Sequence, residues 1–260
     1  MRMVLGNTAL GIAVFALSLQ AAAAAELKVL STPALSAVWE ELAPKFEAQG
    51  HKLNIAYAPG AAIAKRVAEG EVADVLVSTV AGIDSLTKDG KVLAGSGMPI
   101  ASSGIAVAVL KGAPKPDIST PDGLKKALLA AKAVAYTDPA GGGASGVHFA
   151  KVLERLGIAA EVNAKAKLGR GVPAGSFIIK GEADLAVQQV PELLAVQGIE
   201  IVGPLPGDLQ NVTAFAAGVH AAAKDPEAAK ALIHFLQTPA AAAVIKAKGL
   251  DPAPAPAKAS

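Results

Sequence analysis

The 260-residue chain has no cysteine. That excludes disulfides, thiolate nucleophiles, cysteine-based zinc sites and a lipid-anchored cysteine at the start of a mature chain. Aromatic residues are scarce as well, with one Trp, two Tyr and six Phe. Sites that recognise sugars or nucleobases by stacking draw on such rings, so the composition argues against both ligand classes. Charge of one sign is also lacking. The 24 basic and 22 acidic residues leave a formal net charge of +2, and the basic ones are scattered. No field of the kind that attracts nucleic acid results. The four histidines have no partner at metal-ligand spacing, so no metal or cofactor is expected. No Ser-His-Asp or paired-carboxylate arrangement is recognisable from spacing.

A long apolar run occurs only once, at the start. Arg2 precedes an apolar stretch from Ala9 to Leu19, followed by the small residues Ala21 to Ala25. The run is too short to span a bilayer, which takes ~20 apolar residues. It reads as a cleavable export signal over residues 1–25, with the mature chain in the periplasm and not inserted in the membrane. Losing Arg2 takes the net charge from +2 to +1. The mature chain is long enough for one large domain or two lobes held by their cores alone.

The rest alternates strand and helix signals. Leu27 to Leu30 is an apolar strand, and Thr32-Pro33 opens a helix with Thr32 as N-cap. Leu35, Val38, Trp39, Leu42 and Phe46 mark its apolar face, and Gly50 ends it. Leu53 to Tyr57, a helix from Gly60 to Gly70, the strand Asp74 to Ser78 and a helix to Gly90 follow. This β-α-β-α-β order requires a parallel sheet covered by helices. A second block holds a helix from Pro121 to Ala131, a strand Ala133 to Thr137, a helix from Ser145 to Gly157, a helix near Gly175 to Lys180 and a strand Leu185 to Val190. Two long small-residue strands, Gly104 to Leu110 and Asn211 to Val219, read as crossings between lobes. Lobe one is then 26–105 plus 220–260, and lobe two 106–215. Helices follow at Pro226 to Gln237 and Ala240 to Lys248, and the Pro-Ala tail from Asp251 reads as extended.

Four loops fall where such lobes face each other: Leu30 to Ala34, Tyr57 to Ala61, Thr137 to Gly146, and Gly169 to Pro173. All precede helices, whose first N–H groups and partial positive charge suit an anion. Ser31, Thr32 and Ser145 either bind a ligand or cap their own helices. Gly60, Ala61, Gly142 and Gly143 either let backbone approach a ligand or form flexible turns. The glycine run is not a P-loop, since no Gly-Lys-Ser/Thr follows, and it lacks the acidic residue that accompanies a dinucleotide site. Arg170, between Gly169 and Gly171, either turns its fork toward a carboxylate or lies on the surface. Gln188 and Gln189 end an apolar strand with amides, which suits hydrogen bonding in the cleft or plain sheet-edge polarity. His148, one turn into the helix after the glycine run, is a packed histidine or a weak candidate base.

The chain resembles the periplasmic molybdate-binding proteins of ABC importers. The likeness is carried by Phe46 to Gly50, Ile63 to Gly70 before Ala73 to Ser78, and Asp138-Pro139 before Ala150 to Gly157. It implies a type II periplasmic binding fold: two Rossmann-like α/β lobes, two crossing strands and a ligand cleft. It also implies a monomer, with a small anion as ligand and an inner-membrane permease as partner. The family's oxyanion serines fall on Ala34 and near Gly60 and Ala61, where this chain has no hydroxyl. Its backbone donors fall near Ser145 and Gly171, and its tyrosine falls on Gln189. With Gly141-Gly142-x-x-Ser145-Gly146, Gln188-Gln189 and Val202 to Pro206, the chain looks like a divergent subgroup that includes periplasmic aconitate isomerases. The resemblance implies an anion-binding protein of an importer or, alternatively, an isomerase of unsaturated tricarboxylates, with Arg170 as clamp.

Overall fold

A computed structural model describes residues 25–254. The apolar run of the expected leader and the last six residues of the Pro-Ala tail lie outside the described residues. The chain runs β1 (Glu26–Ser31), α1 (Ser36–Glu47), β2 (Lys52–Tyr57), α2 (Gly60–Ala68), β3 (Val75–Thr79), α3 (Val80–Lys88) and β4 (Met98–Ser103). It continues through β5 (Ile105–Leu110), α4 (Pro121–Ala130), β6 (Val134–Thr137), α5 (Ala144–Arg155), α6 (Ala159–Asn163), β7 (Ala166–Gly169), α7 (Gly175–Ile179), β8 (Leu185–Gln189), α8 (Val190–Leu194) and β9 (Ile199–Pro204). It ends with β10 (Thr213–Val219), α9 (Pro226–Leu236), α10 (Pro239–Ala247) and β11 (Asp251–Pro252).

Two mixed sheets result, one per lobe. The first has the order β11-β4-β10-β3-β1-β2, and the second β7-β6-β8-β5-β9. In each, three strands from successive βα units are parallel, and the strands from the returning chain are antiparallel. Each sheet has an apolar cluster on both faces, as a sheet covered by helices must. The apolar face of α1 places Val38, Trp39, Leu42 and Phe46 in the first lobe's core. Among the described residues no single helix is long and apolar enough to cross a membrane.

Several local expectations are corrected. The two long strands read as crossings each lie wholly in one sheet: Ile105–Leu110 pairs only within the second, Thr213–Val219 only within the first. Small-residue strands suit the crowded interior of a sheet, and both have a paired strand on each side. The chain changes sheets at Gly104 and again between Pro204 and Thr213. Thr32 does not cap a helix with its side chain, and Pro33–Leu35 is a 3-10 turn before α1. β4, β7 and β9 escape the reading because small residues, a proline or edge positions mask their period. The tail is extended at Asp251–Pro252 because it pairs with β4.

The parallel strands of both lobes end toward the same interlobe space. Ser31 stands in register with Tyr57, and Thr137 with Gly169. Right-handed crossovers put every following helix start on that edge.

Candidate functional site

A cleft of about 550 Å³ lies between the lobes. The first lobe lines it with Thr32, Pro33, Ala34, Pro59, Gly60, Ala61, Ala64, Ser78, Thr79, Gly82, Ser85 and Phe215. The second contributes Thr137, Gly142 to Ser145, Val147, His148, Lys151, Gln189, Glu192 and Asn211. That volume falls in the ordinary range for small-molecule sites. Among the described residues no group of three or more possible metal ligands stands together.

Helix starts differ in capping, and at the cleft itself α3 is capped by Thr79, which accepts from Gly82 N. α4, α9 and α10 lie away from the cleft, and each has a side chain, Thr120, Asp225 or Thr238, accepting from its first turn. α2 and α5 start at the cleft after Pro59 and Gly143, and neither start has a side-chain cap. Their first N–H groups are left for a ligand, and the helix dipole favours an anion there. On α5, Ala144, Ser145, Val147, His148 and Lys151 line the cleft, as the three- and four-residue spacing of one helix face requires.

The structure places Thr32, Gly60, Ala61, Gly142, Gly143, Ser145, His148 and Gln189 on the cleft wall. Several of them are already engaged. The Ser145 hydroxyl pairs with that of Thr137 at 3.2 Å. His148 Nε2 stands 2.8 Å from the Leu209 carbonyl, which can only accept, so this nitrogen carries the proton and Nδ1 remains unengaged. The amide of Gln189 ties the lobe crossings together. Its nitrogen meets the carbonyls of Ser103 and Gly104 at 3.0 Å each, and its oxygen accepts from the Thr213 hydroxyl at 2.9 Å. A second amide does the same: Gln210 accepts from Ile105 N at 3.0 Å and donates to Ile105 O at 2.9 Å.

Ser31, Gln188, Arg170 and Gly171 are not on the wall. Ser31 is fully buried, and its hydroxyl accepts from Trp39 Nε1 at 2.9 Å. Gln188 is buried one layer behind the cleft, accepting from Ala174 N at 2.8 Å and donating to Glu192 Oε1 at 2.7 Å. Gly171 turns its loop at φ +74°. The Arg170 side chain is 76% exposed, with Nε donating to Asp138 Oδ2 at 2.6 Å. The Ala140 backbone N–H and Arg170 together hold the Asp138 carboxyl below its ordinary value. Arg170 thus braces the glycine loop from outside, because glycines on both sides let its long side chain swing to the nearest carboxylate. Arg170→Ala is expected to change ligand affinity by no more than about 1 kcal/mol, the worth of an exposed ion pair, as read by titration calorimetry. A loss of ~3 kcal/mol would show that the side chain reaches the ligand.

The glycine loop earns its composition by packing. A Cβ on Gly146 would stand 2.2 Å from the Thr137 carbonyl, so its absence lets α5 seat directly on the end of β6. Gly142 adopts φ +71°, and a Cβ there would stand 2.3 Å from Ala61 Cβ. The lips of the two lobes meet at that point.

Sequence reasoning missed Ser78, Lys151 and Glu192. Ser78 places a hydroxyl beside Gly60: a Cβ on Gly60 would lie 2.8 Å from Ser78 Oγ. A polar pair, Ser78-Thr79, ending a buried strand was the available signal. Lys151 is the one lysine or arginine lining the cleft among the described residues, and its spacing from His148 marked the face. Glu192 opens partly onto the cleft floor but is enclosed on its other sides, and this burial pushes its carboxyl up to about 7, against the Gln188 hydrogen bond. Glu192 had no signal beyond its place just after the Gln-Gln strand end.

The model of the bacterial extracellular solute-binding protein family matches residues 27–251. An aconitate isomerase from Pseudomonas sp. is 40% identical over 236 residues, covering 88% of each chain. The molybdate-binding protein ModA of Azotobacter vinelandii is 31% identical over 240 residues, covering 88% of this chain and 91% of its own. The solved Azotobacter vinelandii periplasmic molybdate-binding protein superposes with a TM-score of 0.72 at 22% identity, over 86% of this chain and 98% of its own. Two α/β lobes around a cleft edged by helix starts, with these matches along nearly the whole described chain, place the protein in the bacterial extracellular solute-binding protein family.

Proposed function

We propose that this is a periplasmic protein whose cleft takes a small organic polycarboxylate, and that it isomerises an unsaturated tricarboxylate of the aconitate type. The observation that carries this reading is the joint presence of Lys151, the uncapped starts of α2 and α5, and Glu192 on one cleft. The first three suit carboxylates, and the last suits proton transfer. The relative named aconitate isomerase, at 40% identity, supports the same substrate class.

Purified protein at micromolar concentration is expected to convert cis-aconitate to the trans isomer, followed by chromatography. Aconitate at about 100 times its Kd should raise stability by ~2.7 kcal/mol, roughly 5–10 °C in Tm. Absence of turnover sinks the isomerase reading. A second reading, delivery of an oxyanion to a membrane permease, is favoured by the Ser78 and Thr79 hydroxyls beside the uncapped α2 start. Stabilisation by molybdate, tungstate or sulfate with no response to aconitate selects it.

A further inference from the structure

We infer that Glu192 is the catalytic proton-transfer residue of the cleft and that Gln188 is its positioning residue. This rests on the isomerase reading above. The Gln188 amide is buried and can face only one way. Its Oε1 accepts from Ala174 N at 2.8 Å, so its Nε2 must point at Glu192 Oε1, 2.7 Å away. One carboxylate oxygen is thereby held as an acceptor. The other has no protein partner among the described residues, and it is not sealed off, since Glu192 lines the cleft. A proton gained by Glu192 therefore resides on Oε2, the oxygen left to the cleft.

The fold sets Glu192 where the two lobes join. α8 follows directly from β8 of the second sheet and packs against the Pro33–Leu35 turn and α1 of the first lobe. Val190 N donates to the Gly104 carbonyl at 3.1 Å, so α8 starts beside the point where the chain changes sheets. The other titratable groups lining the cleft are His148 and Lys151, both on α5. Burial, with no charged neighbour contributing, sets the carboxyl near about 7, where a group both takes and returns a proton at neutral pH.

The chemistry balances without an oxidant or a cofactor. Glu192 Oε2 forms an O–H bond as a C–H bond of the substrate methylene breaks. The freed electron pair spreads over the three-carbon allyl unit and onto the adjoining carboxylate. Lys151 and the α2 and α5 starts stabilise that charge. The proton then goes to the formerly vinylic carbon, Glu192 is a carboxylate again, and the double bond has moved by one position. In aconitate this shift regenerates the same skeleton, which allows the double-bond geometry to change.

The test measures cis-to-trans conversion and deuterium uptake from D2O in the wild type and in Glu192→Gln. The amide can still accept from Gln188 Nε2, so the variant is expected to fold and to be stabilised by aconitate. Its turnover and deuterium exchange should fall roughly 10²–10⁴-fold. The wild-type kcat/KM should rise with pH through about 7 as Glu192 loses its proton. Gln188→Leu removes the bond that lowers this value, so that limb should move to higher pH, a shift that loss of packing alone does not produce. Wild-type turnover with Glu192→Gln still active, or with loss confined to His148→Gln, overturns the assignment and leaves the isomerase reading standing. No turnover in the wild type overturns both.

Discussion

Replacing Gly142 with alanine is expected to slow isomerisation roughly 100-fold while leaving a folded protein. The residue stands at the lip of the second lobe with φ +71°, where an L side chain costs about 1–2 kcal/mol. That strain is local to an exposed loop. The larger consequence lies across the cleft: the new Cβ would come 2.3 Å from Ala61 Cβ. Carbons rest at about 3.5–4 Å, so the lips would have to part by more than about 1 Å. A displacement of that size at a catalytic site costs on the order of 100-fold in rate. Ala61→Leu tests the same contact from the other lobe without backbone strain, because leucine is a good helix former and Ala61 is exposed on α2. Turnover of cis-aconitate and ligand-induced Tm shifts read both variants. Undiminished turnover and shifts in both would mean that the lips do not meet in the bound state.

Trp39→Ala should be the most damaging single truncation in the first lobe. The indole is 1% exposed and packs in the cluster that holds Leu35, Leu42 and Phe46. Removing a buried ring of this size costs about 3–5 kcal/mol. In a chain of this length that lowers Tm by roughly 6–20 °C. The indole N–H also donates to Ser31 Oγ, so Ser31→Ala leaves it unpaired and costs about 1–3 kcal/mol. Urea denaturation of both variants, with aconitate titrated into Ser31→Ala, separates structure from binding. Lost stability with unchanged affinity is expected. Unchanged stability with lost affinity would return Ser31 to the ligand.

These two residues mark where sequence reasoning stops. Ser31 sits at the end of the first parallel strand, where a ligand hydroxyl belongs, and α1 carries Trp39 eight residues on. Only the folded helix shows that the indole reaches back to claim the hydroxyl. Arg170 makes the same point at the surface, because glycine neighbours predict freedom of movement but not direction. Asp138, far away in sequence, supplies the direction. The reverse holds near Gly60, where Ser78 places a hydroxyl from a different strand.

The βα alternation, the two-lobed class and the strand ends that edge the cleft were readable from the chain, because they depend on periodicity, helix starts and crossover handedness. Those are local or chirality-bound rules, and they bring Gly60, Ala61, Gly142 and Ser145 to one place. Composition alone also excluded thiol chemistry and disulfides, since the chain has no cysteine. What the folded chain alone decided was which polar atoms remain free. Ser31, Gln188 and Arg170 find partners in the fold, while Lys151, Ser78 and the Glu192 oxygen that Gln188 does not reach are left to the cleft. Hydrogen bonds between residues distant in sequence settle that division. They form only after packing has chosen the neighbours, and no spacing along the chain encodes them.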